Sequence, residues 1–176
     1  MAKLDEQWIV LPEEDENKIW AKVYESYSFS PNSNTETFKI REPHDVYSCK
    51  EAIYKAETDP NWSETLRNIF SQVLGNKPYM FVLDWQHNSF KYDPTNTKEK
   101  KNPIFISDES FMGGGYNVYF PSFYPDGDYY LFIAQDFSWG YLTDPQKQQI
   151  FVYGETLRKK IEDHKNFLQF IYLNSK

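Results

Sequence analysis

Among 176 residues there are one cysteine, three histidines and seven glycines. A lone thiol, Cys49, cannot close an intrachain disulfide, which excludes a small secreted fold stapled by such bridges. No nucleophile signature surrounds it. His44, His87 and His164 are too scattered to suggest a zinc site, and no metal is expected from them. Gly113-Gly114-Gly115 lacks the Lys-Ser or Lys-Thr that completes a phosphate cradle, so no cofactor is expected. No apolar run is long enough to span a membrane, and Met1 to Leu11 mixes charges as a signal peptide does not. Cations are in deficit as well: 19 Lys and Arg face 26 Asp and Glu, a net charge of −7. That argues against nucleic acid and against an anionic membrane surface. It leaves a basic protein as the partner the charge allows. The cytoplasm is the expected compartment.

Large rings are what the chain has in abundance, with 14 Phe, 14 Tyr and 5 Trp. Most of them belong in a core, because each buries a large area. The length fits one domain over residues 1–176. Ile19, Trp20, Val23, Tyr24 and Tyr27 recur at helical spacing behind an acidic run, which predicts a helix over Glu13 to Ser26. Phe38 and Ile40 share one face of an expected strand at Glu36 to Arg41. Ser48 to Glu51 has capping-box spacing ahead of a short helix to Ala56, with an alternating strand as the competing reading. Asp59-Pro60 opens a further helix with Trp62, Leu66, Ile69, Phe70 and Val73 on its apolar stripe, closed at Gly75.

From Tyr79 the period becomes two, a strand running to Trp85 with apolar residues on both faces and hence central. His87-Asn88 is short enough for a hairpin loop, with Phe90 and Tyr92 on the return strand. Asp93 to Asn102 and Ser107 to Tyr116 read as one long mobile loop. Strands are expected near Asn117 to Phe120, Tyr129 to Gln135 and Gln149 to Tyr153, with a short one at Trp139-Gly140-Tyr141. A last helix starts at Gly154 and carries Leu157, Ile161, Leu168 and Ile171 on one face, with a break near His164 to Asn166. The fold class is α+β: an antiparallel sheet built mainly from the C-terminal half, packed by helices from the N-terminal half and the C-terminus.

Two segments could carry chemistry. In Leu83-Asp84-Trp85-Gln86-His87, a strand carboxylate must have a partner if buried, and imidazole is the usual proton carrier near neutral pH. Alternation puts Asp84 and Trp85 on opposite faces, so contact between Asp84 and His87 needs a twist or bulge. Asp126 and Asp128 flank Gly127, but the rest of a calcium loop is missing, and an Asp-Gly turn accounts for them.

Leu83 to His87, Phe90, Tyr92-Asp93-Pro94, Tyr124 to Phe132, Asp136-Phe137, Gly140 and Phe151 to Gly154 occur in the order found in the bacterial domain-of-unknown-function 2716 family, which the chain resembles from about Trp20 to Leu157. The resemblance implies a compact bacterial domain and no particular activity. Where that family carries Gly-His-Pro-Trp, this chain has Thr143-Asp144-Pro145-Gln146, so any role of that histidine would be absent. The Asp126 to Tyr130 hairpin also resembles the SMI1/KNR4-like (SUKH) immunity proteins. The leading expectation is a non-enzymatic protein-binding module of toxin-immunity type, with a basic protein as partner. The other is a small-ligand-binding protein or enzyme, with Asp84, His87, Asp126 and Asp128 around a pocket edged by Trp85 and Trp139 and covered by the glycine loop.

Overall fold

The computed structural model describes residues 3–176. Ten strands and four α-helices follow one another: β1 (Trp8–Val10), α1 (Glu13–Tyr27), β2 (His44–Ser48), a 3-10 turn (Lys50–Ala52) leading into α2 (Ile53–Thr58), α3 (Pro60–Leu74), β3 (Met80–Asp84), β4 (Phe90–Tyr92), β5 (Ile104–Ser107), β6 (Gly115–Val118), β7 (Tyr130–Ile133), β8 (Gly140–Asp144), β9 (Gln149–Tyr153), α4 (Glu155–Leu168) and β10 (Ile171–Ser175). Eight strands form one antiparallel sheet in the order β1-β4-β3-β7-β8-β9-β2-β10, and β5 pairs with β6 in a separate hairpin. The α+β expectation holds.

Alternation along the strands splits the apolar residues between two cores. Met80, Val82, Phe132, Tyr141, Ile150 and Val152 face α3 and α4. Leu83, Leu131, Ile133, Leu142, Phe151 and Tyr153 face α1 and the chain that follows it. A sheet dry on both faces accounts for the near-continuous apolar run Met80 to Leu83. On one side, Phe70 stacks on Phe123 and Phe132 and meets Tyr141 edge-on. The indole N–H of Trp62 donates to the Leu168 carbonyl at 2.9 Å and ties α3 to the end of α4. On the other side, Tyr153 donates to the Phe137 carbonyl at 2.8 Å, so the Tyr27 hydroxyl must be the donor in its 2.5 Å contact with the Tyr153 hydroxyl.

α1 and α3 form where expected, and the Asp59 side chain caps α3 by accepting from the Asn61 amide at 2.9 Å. The helix reading of the residues after Ser48 prevails over the strand reading. Gly154 opens α4 at φ +93°, where a Cβ would meet that of Trp139 at 2.4 Å, so only glycine fits.

Several expectations are corrected. Glu36 to Arg41 is not a strand. It folds back along the end of α1 through backbone bonds from Lys39 to Tyr27 and from Ser30 to Thr37, and buries Phe38 and Ile40 without joining a ladder. The strand lies instead at His44–Ser48, directly after Pro43, between β9 and β10. Its polar residues hid it. Asp45 is buried and accepts both arms of the Arg158 guanidinium at 2.9–3.0 Å and the Ser175 hydroxyl at 2.5 Å. α4 runs unbroken past His164 to Leu168, and Ile171 belongs to β10. The segment read as a long loop contains β5 and β6, and its strand near Asn117 starts two residues early, at Gly115.

Truncating Phe70 to Ala should lower unfolding free energy by about 3–5 kcal/mol. Urea titration checks this, and a loss under about 1 kcal/mol would show that this stack does not hold α3 to the sheet.

Candidate functional site

Asp84 ends β3, and the register pairs it with Tyr130 of β7, so Asp128 arrives beside it from the neighbouring strand. The chain then turns sharply. The Gln86 amide donates to Asp84 Oδ1 at 3.2 Å and to Asp128 Oδ2 at 3.1 Å. This Asx-type turn brings His87 back over the strand end without any bulge. His87 Nδ1 lies 3.2 Å from Asp84 Oδ1 and 3.3 Å from Asp128 Oδ2. Donor atoms of all three residues fall within 4.8 Å of one another.

Both carboxylates are deeply buried, at 5% and 6% exposure, while the His87 side chain is 67% exposed and forms the outer wall. A second ring of contacts fixes them. The Ser89 hydroxyl accepts from the Asp84 amide at 3.2 Å, and Asp128 Oδ1 accepts from the Tyr129 amide at 2.7 Å. The buried Thr143 hydroxyl bridges both backbone groups of Tyr130.

Burial raises the Asp84 carboxyl to about 7, and its hydrogen bond and repulsion with Asp128 add to that against the pull of His87. His87 is also raised: partial burial opposes its charge, but Asp84 and then Asp128 outweigh it. Nearby, Glu16 is raised by burial, against a hydrogen bond from Ser89, with Glu13 adding to the rise. The cluster therefore holds more negative charge than its one imidazole offsets, and it takes up a proton near neutrality to compensate.

The other expected site residues fall in different places. Asp126 accepts from the Tyr130 hydroxyl at 2.5 Å and sits at the rim. Trp85 points to the opposite face from Asp84, where its N–H donates to the Tyr24 hydroxyl at 3.0 Å and its ring meets Tyr129 edge-on. Trp139 does not edge this site. It packs on Phe70 at the far end of β7, where Ala134 bonds its carbonyl. Phe81 pairs with Ile133 and Asp84 with Tyr130, so about 10 Å of strand separates the two ends. Gly113 and Gly114 lie in the turn of the β5–β6 hairpin, and Gly115 begins β6. Paired within the hairpin, Ile106 and Tyr116 share a cavity of about 510 Å³ with Asn88, Glu13 and Glu16, next to the turn that carries His87. Burial pushes the Cys49 thiol up to about 12, so it stays protonated.

Comparison with known proteins places the chain. The model of a family described as "Protein of unknown function (DUF2716)" matches residues 10–158. The chain belongs to this family. It is 30% identical over 163 residues to the "Uncharacterized protein YxiI" of Bacillus subtilis (strain 168), covering 89% of this chain and 93% of that relative. No solved structure matches. The family match takes in all three clustered residues and leaves out β10.

The sign of the pH effect follows from these shifts. Unfolded Asp titrates near about 3.9, so between there and about 7 the folded chain holds a proton that the unfolded chain has lost. Stability contributed by Asp84 thus falls as pH rises through that window. His87 acts in the same sense: its contribution is complete below an unfolded value of about 6.5 and is lost as pH rises through its raised folded value. Asp45 opposes only at the acid end. Burial works against its charge, but Arg158 and Ser175 hold it below the usual range, a contribution lost as pH falls. In chelator-treated protein, the urea midpoint should fall as pH rises toward about 7, the top of the Asp84 window, and Asp84→Asn should flatten that slope. An unchanged slope in Asp84→Asn would contradict the assignment.

Proposed function

We propose that this DUF2716 protein is a small-ligand-binding protein whose site is a divalent metal centre formed by Asp84, Asp128 and His87. The observation that carries this reading is the convergence of two buried carboxylates on one imidazole nitrogen, at 3.2 and 3.3 Å. A metal with bonds of about 2.1 Å needs neighbouring donors about 3.0–3.4 Å apart for octahedral to tetrahedral angles, which is the spacing from the imidazole nitrogen to each carboxylate. Mixed carboxylate and imidazole donors suit Mn²⁺, Fe²⁺ or Zn²⁺. The ion would supply the positive charge the pair lacks and displace the proton it otherwise takes up. Both carboxylates are already oriented by backbone amides, the kind of support that metal ligands require.

Isothermal titration of chelator-stripped protein with Mn²⁺ tests this. One ion should bind per chain, with affinity weakened about tenfold or more in His87→Ala and abolished in the Asp84→Asn/Asp128→Asn pair. No saturable uptake, or equal uptake by the double variant, would sink the proposal.

A second reading, a protein-binding module for a basic partner such as a bacterial toxin, is favoured by a separate observation. The β5–β6 hairpin turns Phe105, Phe111, Met112 and Tyr119 outward, with Met112 97% exposed. Exposed rings of this kind are the usual anchors of protein interfaces. On this reading, a partner co-purified from the source cell should be lost when Phe105 and Phe111 become Ser and retained in Asp84→Asn. Retention in the double Ser variant would remove the hairpin as the contact.

A further inference from the structure

The same sheet carries a second opening of opposite charge. On the α1 side, the covering chain ends its crossing at Ile40, and the β9-β2-β10 end of the sheet stays open beside it. A cavity of about 560 Å³ lies between the Thr35 to Ile40 segment and these strands, within the roughly 300–1,000 Å³ of small-molecule sites. Its floor is apolar: Phe38, Ile40, Val46 and Phe151 are all buried. Its rim is cationic, with Lys39, Lys147 and Lys176.

In a chain of net charge −7 this is a local reversal. Lys176 pairs with Glu36 at 3.6 Å. Among the described residues Lys147 bonds only uncharged side- and main-chain oxygens, the Thr35 carbonyl and the Thr37 hydroxyl at 3.2 Å. Lys39 is exposed and makes no ion pair among the described residues. Among rim side chains the balance is therefore three cations against one carboxylate. Asp144, which touches the lining residue Thr37, is buried and is spent on the Thr37 hydroxyl at 2.5 Å and on the amides of Gln146 and Lys147. His44 adds a polar wall whose ring is fixed, since only its Nδ1–H can donate to the Glu42 carbonyl at 2.9 Å.

We infer that this groove binds a small organic anion with an apolar body, its ring or chain on the Phe38–Phe151 floor and its charge between Lys39 and Lys176. Charge complementarity selects the anion, and the dry floor selects the apolar part; neither feature alone describes the cavity. The site is independent of the Asp84 cluster. Strands β3 and β2 are four positions apart in the sheet, about 19 Å at the usual strand spacing.

Phenyl phosphate is the probe, with phenol and inorganic phosphate as its separated halves, followed by amide chemical shifts. Phenyl phosphate should shift Thr37, Lys39, Val46 and Phe151 saturably, at concentrations where neither half does. Lys39→Glu/Lys176→Glu should weaken it about tenfold or more with an unchanged melting curve, and added salt should weaken it further. The proposal fails if phenol binds as well as phenyl phosphate. It also fails if the shifts centre elsewhere, if none saturates at millimolar probe, or if the folded double variant binds as before.

Discussion

Desolvation of the sheet on both faces is the constraint from which the rest follows. Once α3 and α4 cover one side and α1 with its trailing chain covers the other, a strand interior admits a polar group only with a complete set of partners. Asp45 meets that condition with Arg158 and Ser175, and Asp144 with Thr37 and two amides. Asp84 and Asp128 are hydrogen-bonded too, but short of positive charge. They lie at strand ends, where β3 and β7 leave the core, and their shared deficit of positive charge opens to solvent through His87. At β3 and β7 the acidic cluster is confined to the strand ends because both faces of these strands are closed.

The elements legible in the sequence were those whose pattern and burial agree. α3 has a Pro at its start, an Asp cap and an apolar stripe. β3 and β9 are apolar on both faces, as strands between two cores must be. What stayed hidden was set by tertiary contacts. β2 reads as polar because its buried Asp45 is neutralised by Arg158 from α4, far away in the chain. Phe38 and Ile40 alternate like a strand, yet their backbone bonds go to the end of α1. β10 continues the apolar spacing of α4, and only the left-handed turn at Gln169 separates them.

The candidate site was legible as two separate fragments. Asp84 with His87, and Asp126 with Asp128, each looked like a local turn feature. Strand pairing unites one member of the second with both members of the first, and local spacing carries no trace of that. It also divides residues that seemed to belong together: Trp85 and Trp139 serve different cores at different ends. Opposite charge is sorted in the same way. The acidic cluster sits where β3 and β7 end, and the basic groove sits across β9, β2 and β10, so one net charge conceals two unlike surfaces.

β10 closes the sheet. All five of its residues are exposed, its pairing with β2 is interrupted between Tyr172 and Asn174, and Lys176 exchanges both backbone bonds with His44. An interrupted outer strand is a poor template for a further chain, since its free hydrogen-bonding groups fall out of step. The strand beneath it has no such defect: β2 pairs with β9 in regular register along its whole length. β10 thus acts as a selvedge, and without it the sheet would present the straight, aggregation-prone edge of β2 in place of the broken one.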